Sequence, residues 1–440
     1  MMETPIYDFL RGYRASGTAR FHMPGHKGRP FLGCEAWDIT EVKGADALYE
    51  AGGIIAQSEV NAGALFGSGR TVYSTEGSSQ CIRAMLYLAL MNRPAGAAPV
   101  IMAARNVHRA FVYAAALLDF DVVWLWPTES RSLCACAVTA EQLETTLAGL
   151  SAPPAAVYIT SPDYLGGMAD VATLAEVCHR HGTVLAVDNA HGAYLRFLEP
   201  SRHPLDLGAD LCCDSAHKTL PVLTGGAYLH ISKAAPAAFR EQAKTAMALF
   251  GSTSPSYLTM ASLDLCNRYL AGEYRERLAE TVRRLEVLRG RLRTAGWQVE
   301  ETDTLRLTLR VSGGTALAEQ LRCHGIECEF ADPEHLVLML TPENDPAELE
   351  RLCGALGENR IPVKEIALPL ARGERVLSIR EAMFAPHQTV PAAEALGQIC
   401  GAPTVGCPPA IPIAVTGERI GPGALALFRH YGVETVDILA

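Results

Sequence analysis

Long apolar runs are missing from this 440-residue chain: no stretch is both long enough and free enough of charge to span a bilayer. The opening MMETPIYDFLRGYR has neither an apolar h-region nor a small-residue cleavage site, so a cytoplasmic location is the default expectation. Blocks of like charge are missing too. The formal net charge of -10 is spread along the chain, which offers no polybasic surface to nucleic acid or membrane and tolerates cationic small molecules better than anionic ones. The thirteen cysteines include no Cys-x-x-Cys pair, and their irregular spacing, with Cys134-x-Cys136 and adjacent Cys212 and Cys213, reads as reduced and mostly buried thiols. No structural zinc or other metal site is expected. No repeat of 20 to 50 residues appears, which excludes a solenoid.

What is present is an ordinary globular composition, 49% apolar and 20% charged, with length for two or three domains. From about residue 71 to 232, short β-rich runs (TVYST, PVIMAAR, DVVWLW, AAVYIT, TVLAVDN, GGAYLHIS) alternate with helical patterns. The alternation predicts an α/β fold with a mainly parallel sheet buried on both faces, whose ligands gather beyond the carboxyl ends of the strands. Over residues 273 to 293, Leu278, Val282, Leu285, Leu288 and Leu292 fall on one helical stripe, as in a core-facing connecting helix. After Gly296 a β-β-α-β-α pattern predicts a smaller α+β domain, followed by a Pro- and Gly-rich tail. The expected organisation is an N-terminal segment near the active site (1–35), a large domain (36–296) and a C-terminal small domain with its tail (297–440).

Four loops carry residues suited to one chemistry. Lys218, in Ser215-Ala-His-Lys-Thr219, follows a strand-like LCCD, where a partly desolvated ammonium can lose its proton and form a Schiff base. Alone this run is weak, since a surface lysine is the commoner explanation. Asp188 ends the strand TVLAVD, so its carboxylate should emerge at the sheet edge and could bind a protonated pyridine nitrogen, although capping the next turn explains it equally well in isolation. Glu76-Gly77-Ser78-Ser79 opens the helix QCIRAMLYLAL with backbone N–H groups and two hydroxyls placed for a phosphate; Ser78 or Ser79 as a plain N-cap is the alternative. His108 begins the helix after PVIMAAR, either flat against a cofactor ring or as a polar helix terminus.

The run His22-Met-Pro-Gly-His-Lys-Gly28, together with DNAHGAYL (188–195), SAHKTLPVLTGGAYLHI (215–231) and STSPSY (252–257), resembles the bacterial ornithine/lysine/arginine decarboxylases, pyridoxal 5'-phosphate (PLP) enzymes of fold type I. The resemblance implies Lys218 as the Schiff-base lysine, Asp188 at the pyridine nitrogen, and Ala190 and His108 on opposite faces of the ring. It also implies Gly77, Ser78, Ser79 and Ser215 at the phosphate and His217 beside the reacting atoms. Ser252 or Thr253 would complete the site of a neighbouring subunit, so a homodimer with shared sites follows from the same resemblance, with any higher oligomer left open. This chain has Asn189 where the family usually has glutamate, Cys407-Pro408-Pro409-Ala410-Ile411-Pro412 where it has Tyr-Pro-Pro-Gly-Ile-Pro, and Ala402 where a glutamate is often found. It also lacks the receiver-like domain of longer relatives, which suggests a smaller assembly.

The implied reaction is decarboxylation of arginine, lysine or ornithine, in that order of preference, with His217 or Lys218 returning the proton to Cα. The substrate's distal cation needs a carboxylate, for which Asp46 and Glu418 are candidates, each equally readable as a turn or surface acid. An aminotransferase or lyase of the same fold would use the same lysine and aspartate; an aminotransferase would add an arginine clamp, for which Arg372, Arg375 and Arg380 lie in a suitable region. An inactive protein that keeps the fold is a third reading. The N-terminal HMPGHKG motif favours the decarboxylase.

Overall fold

The structure, a computed structural model, describes residues 2–50, 52–128, 131–358, 362–363, 366–405 and 410–440. Two compact units form, each from two chain segments: Met1–Gly96 with Val171–Leu278, and Ala97–Asp170 with Ala279–Ala440. The apolar runs become seven strands: β1 (Arg70–Ser74), β2 (Val100–Ala104), β3 (Asp121–Leu125), β4 (Ala156–Thr160), β5 (Val184–Asp188), β6 (Leu211–Asp214) and β7 (Ala227–Ile231).

In the first unit the strand order is β1-β7-β6-β5. β5 and β6 are parallel, and β7 runs antiparallel to both β1 and β6. β6 and β7 are buried along their whole length, which is why they read as unbroken apolar runs rather than as alternating strands. The helix Ser78–Met91 packs on β5, β6 and β7 through buried Cys81, Ile82, Met85, Leu88 and neighbours. The register aligns the strand ends: Ser74 pairs with Ala227, Asp214 with Tyr228, and Asp188 with Cys213. The last residues of β1, β6 and β5 therefore emerge side by side.

In the second unit β4, β2 and β3 lie in that order and are parallel. The expected β-β-α-β-α stretch gains a strand: β8 (Gln298–Val299), β9 (Arg306–Arg310), β10 (Phe330–Ala331) and β11 (His335–Met339) form an antiparallel sheet in the order β10-β11-β9-β8. The added hairpin turns at Asp332, whose Oδ1 accepts from the backbone N–H groups of Glu334 (2.8 Å) and His335 (2.6 Å). Helices Gly314–Cys323 and Pro346–Leu356 cover this sheet around Leu285, Leu307, Leu309, Leu321, Leu336 and Leu352. The connecting helix spans Tyr274–Thr294; Leu278, Leu285, Leu288 and Leu292 of its predicted stripe are buried and Val282 is half-buried. The tail has its own core of Ile413, Ile420, Phe428, Val436 and Ile438. Among the described residues no helix is long and apolar enough to cross a membrane.

Candidate active site

The first unit gathers most of the predicted residues at one edge of its sheet. β1 ends at Ser74, and the chain turns through Gly77 (φ 72°) into the helix Ser78–Met91. Glycine suits this left-handed N-cap, and Gly77 N–H donates to Gly225 O at 2.8 Å. Gly77 carries no side chain to cap the helix, and no described residue comes within 4 Å of where one would begin. The helix N-terminus and the half-buried Ser78 and Ser79 that follow it are donors of the kind a phosphate requires.

Asp188 is buried at the end of β5, and its Oδ1 accepts from Ala190 N–H (3.2 Å) and from the Cys213 thiol (3.5 Å). Burial pushes that thiol well above its ordinary range, so Cys213 is a neutral donor. β6 runs out through Ser215 into a single helical turn, Ala216–Thr219. Lys218 N–H donates to Ser215 O (3.0 Å), and half-buried Lys218 brings Nζ to 2.8 Å from Nε2 of buried His191. The backbone N–H of His217 (3.2 Å) and its Nδ1 (3.1 Å) both meet Gly226 O. A carbonyl only accepts, so His217 carries a proton on Nδ1, and any proton it exchanges passes through Nε2.

His191 had no assigned role in the sequence, although it stands within the DNAH motif. A second group was missed altogether. Asn189 Nδ2 donates to Asp214 Oδ1 at 2.7 Å, while His203 Nε2 (3.0 Å) and His230 Nε2 (3.3 Å) contact Oδ2 of the same carboxylate, all fully buried. Burial pushes the Asp214 carboxyl up, but the two histidines outweigh it and hold it well below the usual carboxylate range. This explains the departure at 189. A glutamate there would set two carboxylates face to face, whereas the amide supplies the N–H that Asp214 needs. No local spacing announces the group, because cross-strand pairing and a loop bring it together.

Ser252 and Thr253 are exposed, and Ser252 N–H donates to Glu76 Oε1 of the same chain, beside Gly77. The HMPGHKG motif is tied within residues 13–38. His22 Nε2 meets Tyr13 OH (2.6 Å), and His26 Nδ1 accepts from Gly28 N–H (3.0 Å), which leaves its Nε2–H to donate to Asp38 (3.2 Å). Glu35 accepts from the backbone of Phe31, Leu32 and Gly33, with Leu32 contributing most to holding its carboxyl down at about 2.

Both candidates for the substrate's distal cation already have partners within the chain. Asp46 accepts four backbone N–H groups, from Ala47, Gly52, Gly53 and Ile55 at 2.8 to 3.2 Å, so its carboxylate organises its own loop. Glu418, in the second unit, is buried 3.9 Å from the Arg105 guanidinium and accepts from Val415 N–H (3.1 Å). Also in that unit, His108 is the N-cap of the helix Arg109–Leu118, its Nδ1 accepting from Ala110 N–H at 3.2 Å. The three arginines weighed for a carboxylate clamp are exposed and engaged: Arg372 lies over Trp126, Arg375 pairs with Asp121 (2.5 Å), and Arg380 donates to Ala116 O (2.9 Å). Ala410 has φ 60°, the left-handed backbone that accounts for the family's glycine there. Cys407, Pro408 and Pro409 lie outside the described residues.

The Orn/Lys/Arg decarboxylase major-domain family matches residues 4–310. The arginine decarboxylase of Bacillus subtilis (strain 168) is 27% identical over 457 residues, covering 95% of this chain and 91% of that protein. Among solved structures, the lysine decarboxylase of Francisella novicida superposes with a TM-score of 0.82 at 17% identity, over 99% of this chain and 81% of that one. A serine palmitoyltransferase variant of S. paucimobilis, solved with a bound PLP-myriocin aldimine, superposes with a TM-score of 0.52 at 17% identity, over 68% of this chain and 74% of that one. At these identities the structural likenesses show the fold, that of the fold type I PLP enzymes.

Proposed function

The chain belongs to the Orn/Lys/Arg decarboxylase family, and from that premise we propose that it is a PLP-dependent decarboxylase of a basic amino acid, with arginine first, then lysine and ornithine. The observation that carries this reading is the shared sheet edge, where β1, β5 and β6 deliver Gly77–Ser79, Asp188 and Lys218 from one unit. The donor set fits the cofactor. Ser78, Ser79, Ser215 and the helix N-terminus would hold its phosphate, Asp188 its ring nitrogen and Lys218 its aldehyde carbon, with Ala190 against one ring face.

Bound PLP supplies an electron sink for the pair left when the bond from Cα to the carboxylate breaks. The protein's share is orientation and proton handling. Either Lys218, 2.8 Å from His191, or His217, through Nε2, would return the proton to Cα. The arginine preference rests on the curated relative. With Asp46 and Glu418 engaged elsewhere, the distal cation is read by another group. We further read the protein as a cytoplasmic homodimer. Phe21, Phe31 and Leu32, each at least 85% exposed beside the N-terminal motif, give a second copy an apolar face to cover, and Ser252 and Thr253 are accessible to it.

Purified protein given PLP and each of the three amino acids in turn tests the reading. Carbon dioxide and the matching amine are expected, and should be lost in Lys218→Ala. Keto acid without carbon dioxide would replace it with an aminotransferase.

A further inference from the structure

We propose that Asp214, braced by His203 and His230, is a positioning residue for Asp188 and His191: a buried anchor that grips Asn189 and thereby sets the turn presenting both side chains to the cofactor. The proposal rests on the PLP reading above and adds residues that neither the family pattern nor the lysine motif supplies.

The turn has one hinge point. Asn189 N–H donates to Cys213 O (3.0 Å), continuing the pairing of β5 with β6 one residue past its end, and Asn189 O accepts from Gly192 N–H (2.8 Å). Its side-chain amide reaches across to Asp214 at 2.7 Å. Asn189 thus fixes the backbone on either side of Ala190 and His191, while Asp188 Oδ1 closes the turn on Ala190 N–H. The space is filled to contact: a side chain at Gly192 would begin 2.0 Å from Asn189 Oδ1.

Asp214 in turn is held from both sides. Oδ1 also takes the Cys212 thiol at 3.4 Å, Oδ2 faces the two histidines, and His230 Nδ1 meets Thr71 Oγ1 (2.8 Å), which meets Ser68 Oγ (2.7 Å). Burying a carboxylate is costly unless each lone pair finds a donor, and here four groups converge on it. An apolar residue would fill the same space without that cost. A buried carboxylate held beside Asp188 by hydrogen bonds from Asn189, His203 and Cys212, with His230 3.3 Å away, is best understood as orienting it, as outer-shell partners orient metal ligands.

An isosteric swap tests this. Asn189→Asp sets two carboxylates against each other, and Asp214→Asn removes the charge. The double variant restores one donor and one acceptor in reversed order, with the carbonyl of the amide introduced at position 214 still facing the histidines. The readouts are the PLP dissociation constant, the absorption and circular dichroism bands of bound PLP, and the melting temperature. Each single variant should weaken PLP binding roughly ten- to a hundredfold and alter the bands, as expected for losing one charge-assisted hydrogen bond. The double variant should return to within about threefold of the parent, by the same reasoning. Should the single variants not fold, two milder variants serve: His203→Gln, which keeps an N–H for Asp214, should preserve binding, and His203→Leu should lose it. Variants that shift only the melting temperature, a double no better than its worse parent, or equal behaviour of Gln and Leu would overturn the proposal. A parent protein that takes up no PLP would instead defeat the functional reading itself.

Discussion

Replacing Gly192 with alanine adds one carbon at a closely packed point of the candidate site. The backbone there, φ −123° and ψ 18°, is open to any residue, so the effect is steric. The new Cβ would lie 2.0 Å from Asn189 Oδ1, 2.8 Å from Asn189 Cγ and 2.7 Å from Leu195 Cδ1. The Asn189 side chain must turn away, which breaks its 2.7 Å bond to Asp214 and leaves a buried carboxylate oxygen short of a donor. Crowding a packed interior costs about 1–3 kcal/mol, and a hydrogen bond to a charged group contributes about 1.5–3 kcal/mol. Together they predict a loss of roughly 4 kcal/mol, or a fall of roughly 10 °C in the melting temperature of a unit this size. Gly12→Ala is the matched control. Gly12 is exposed within the helix Pro5–Ala15, and no described residue lies within 4 Å of the added carbon. It should gain up to about 1 kcal/mol from helix propensity. Thermal denaturation followed by circular dichroism reads both. Equal melting temperatures for Gly192→Ala and its parent would refute the packing argument.

Asp264 accepts from the first-turn N–H groups of Ile6 (2.9 Å) and Tyr7 (3.0 Å), and burial pushes its carboxyl up to about 6. The folded state then holds this proton more tightly than the unfolded chain. Stability from this group is present below about pH 4, falls as pH rises toward 6, and above that amounts to a penalty of at most about 3 kcal/mol. Asp264→Asn should therefore gain on its parent between pH 5 and 7.5 in paired thermal melts, and a pH-independent difference would contradict the assignment. Ala410 holds a left-handed backbone. Ala410→Gly should raise stability by roughly 0.5–1 kcal/mol in the same assay, and a loss would show that the strain is not there.

The strands and the edge that carries the candidate residues were legible because apolar runs stop at charged residues: Asp188 and Asp214 each end a strand, and the polar turns after them carry His191 and Lys218. What escaped is pairing over long separations. Nothing local says that Asp46 is spent on four backbone N–H groups, or that Glu418 faces Arg105, more than three hundred residues away. An acid in a loop looks the same whether it binds substrate or its own backbone. His203, Asp214 and His230 stand on a loop and two strands, so their meeting depends on β6–β7 register rather than on sequence spacing. The two compact units are likewise discontinuous in the chain, which a linear pattern does not display. The hairpin at Asp332 was missed because two residues are too few to show an alternation.

The central claim is that Lys218 carries the cofactor. Protein incubated with PLP should develop an absorption band near roughly 420 nm. Borohydride should abolish that band, and peptide mass spectrometry should then find the pyridoxyl label on Lys218. No band should form in Lys218→Ala. A label on any other lysine, or a band that persists in Lys218→Ala, would contradict the account.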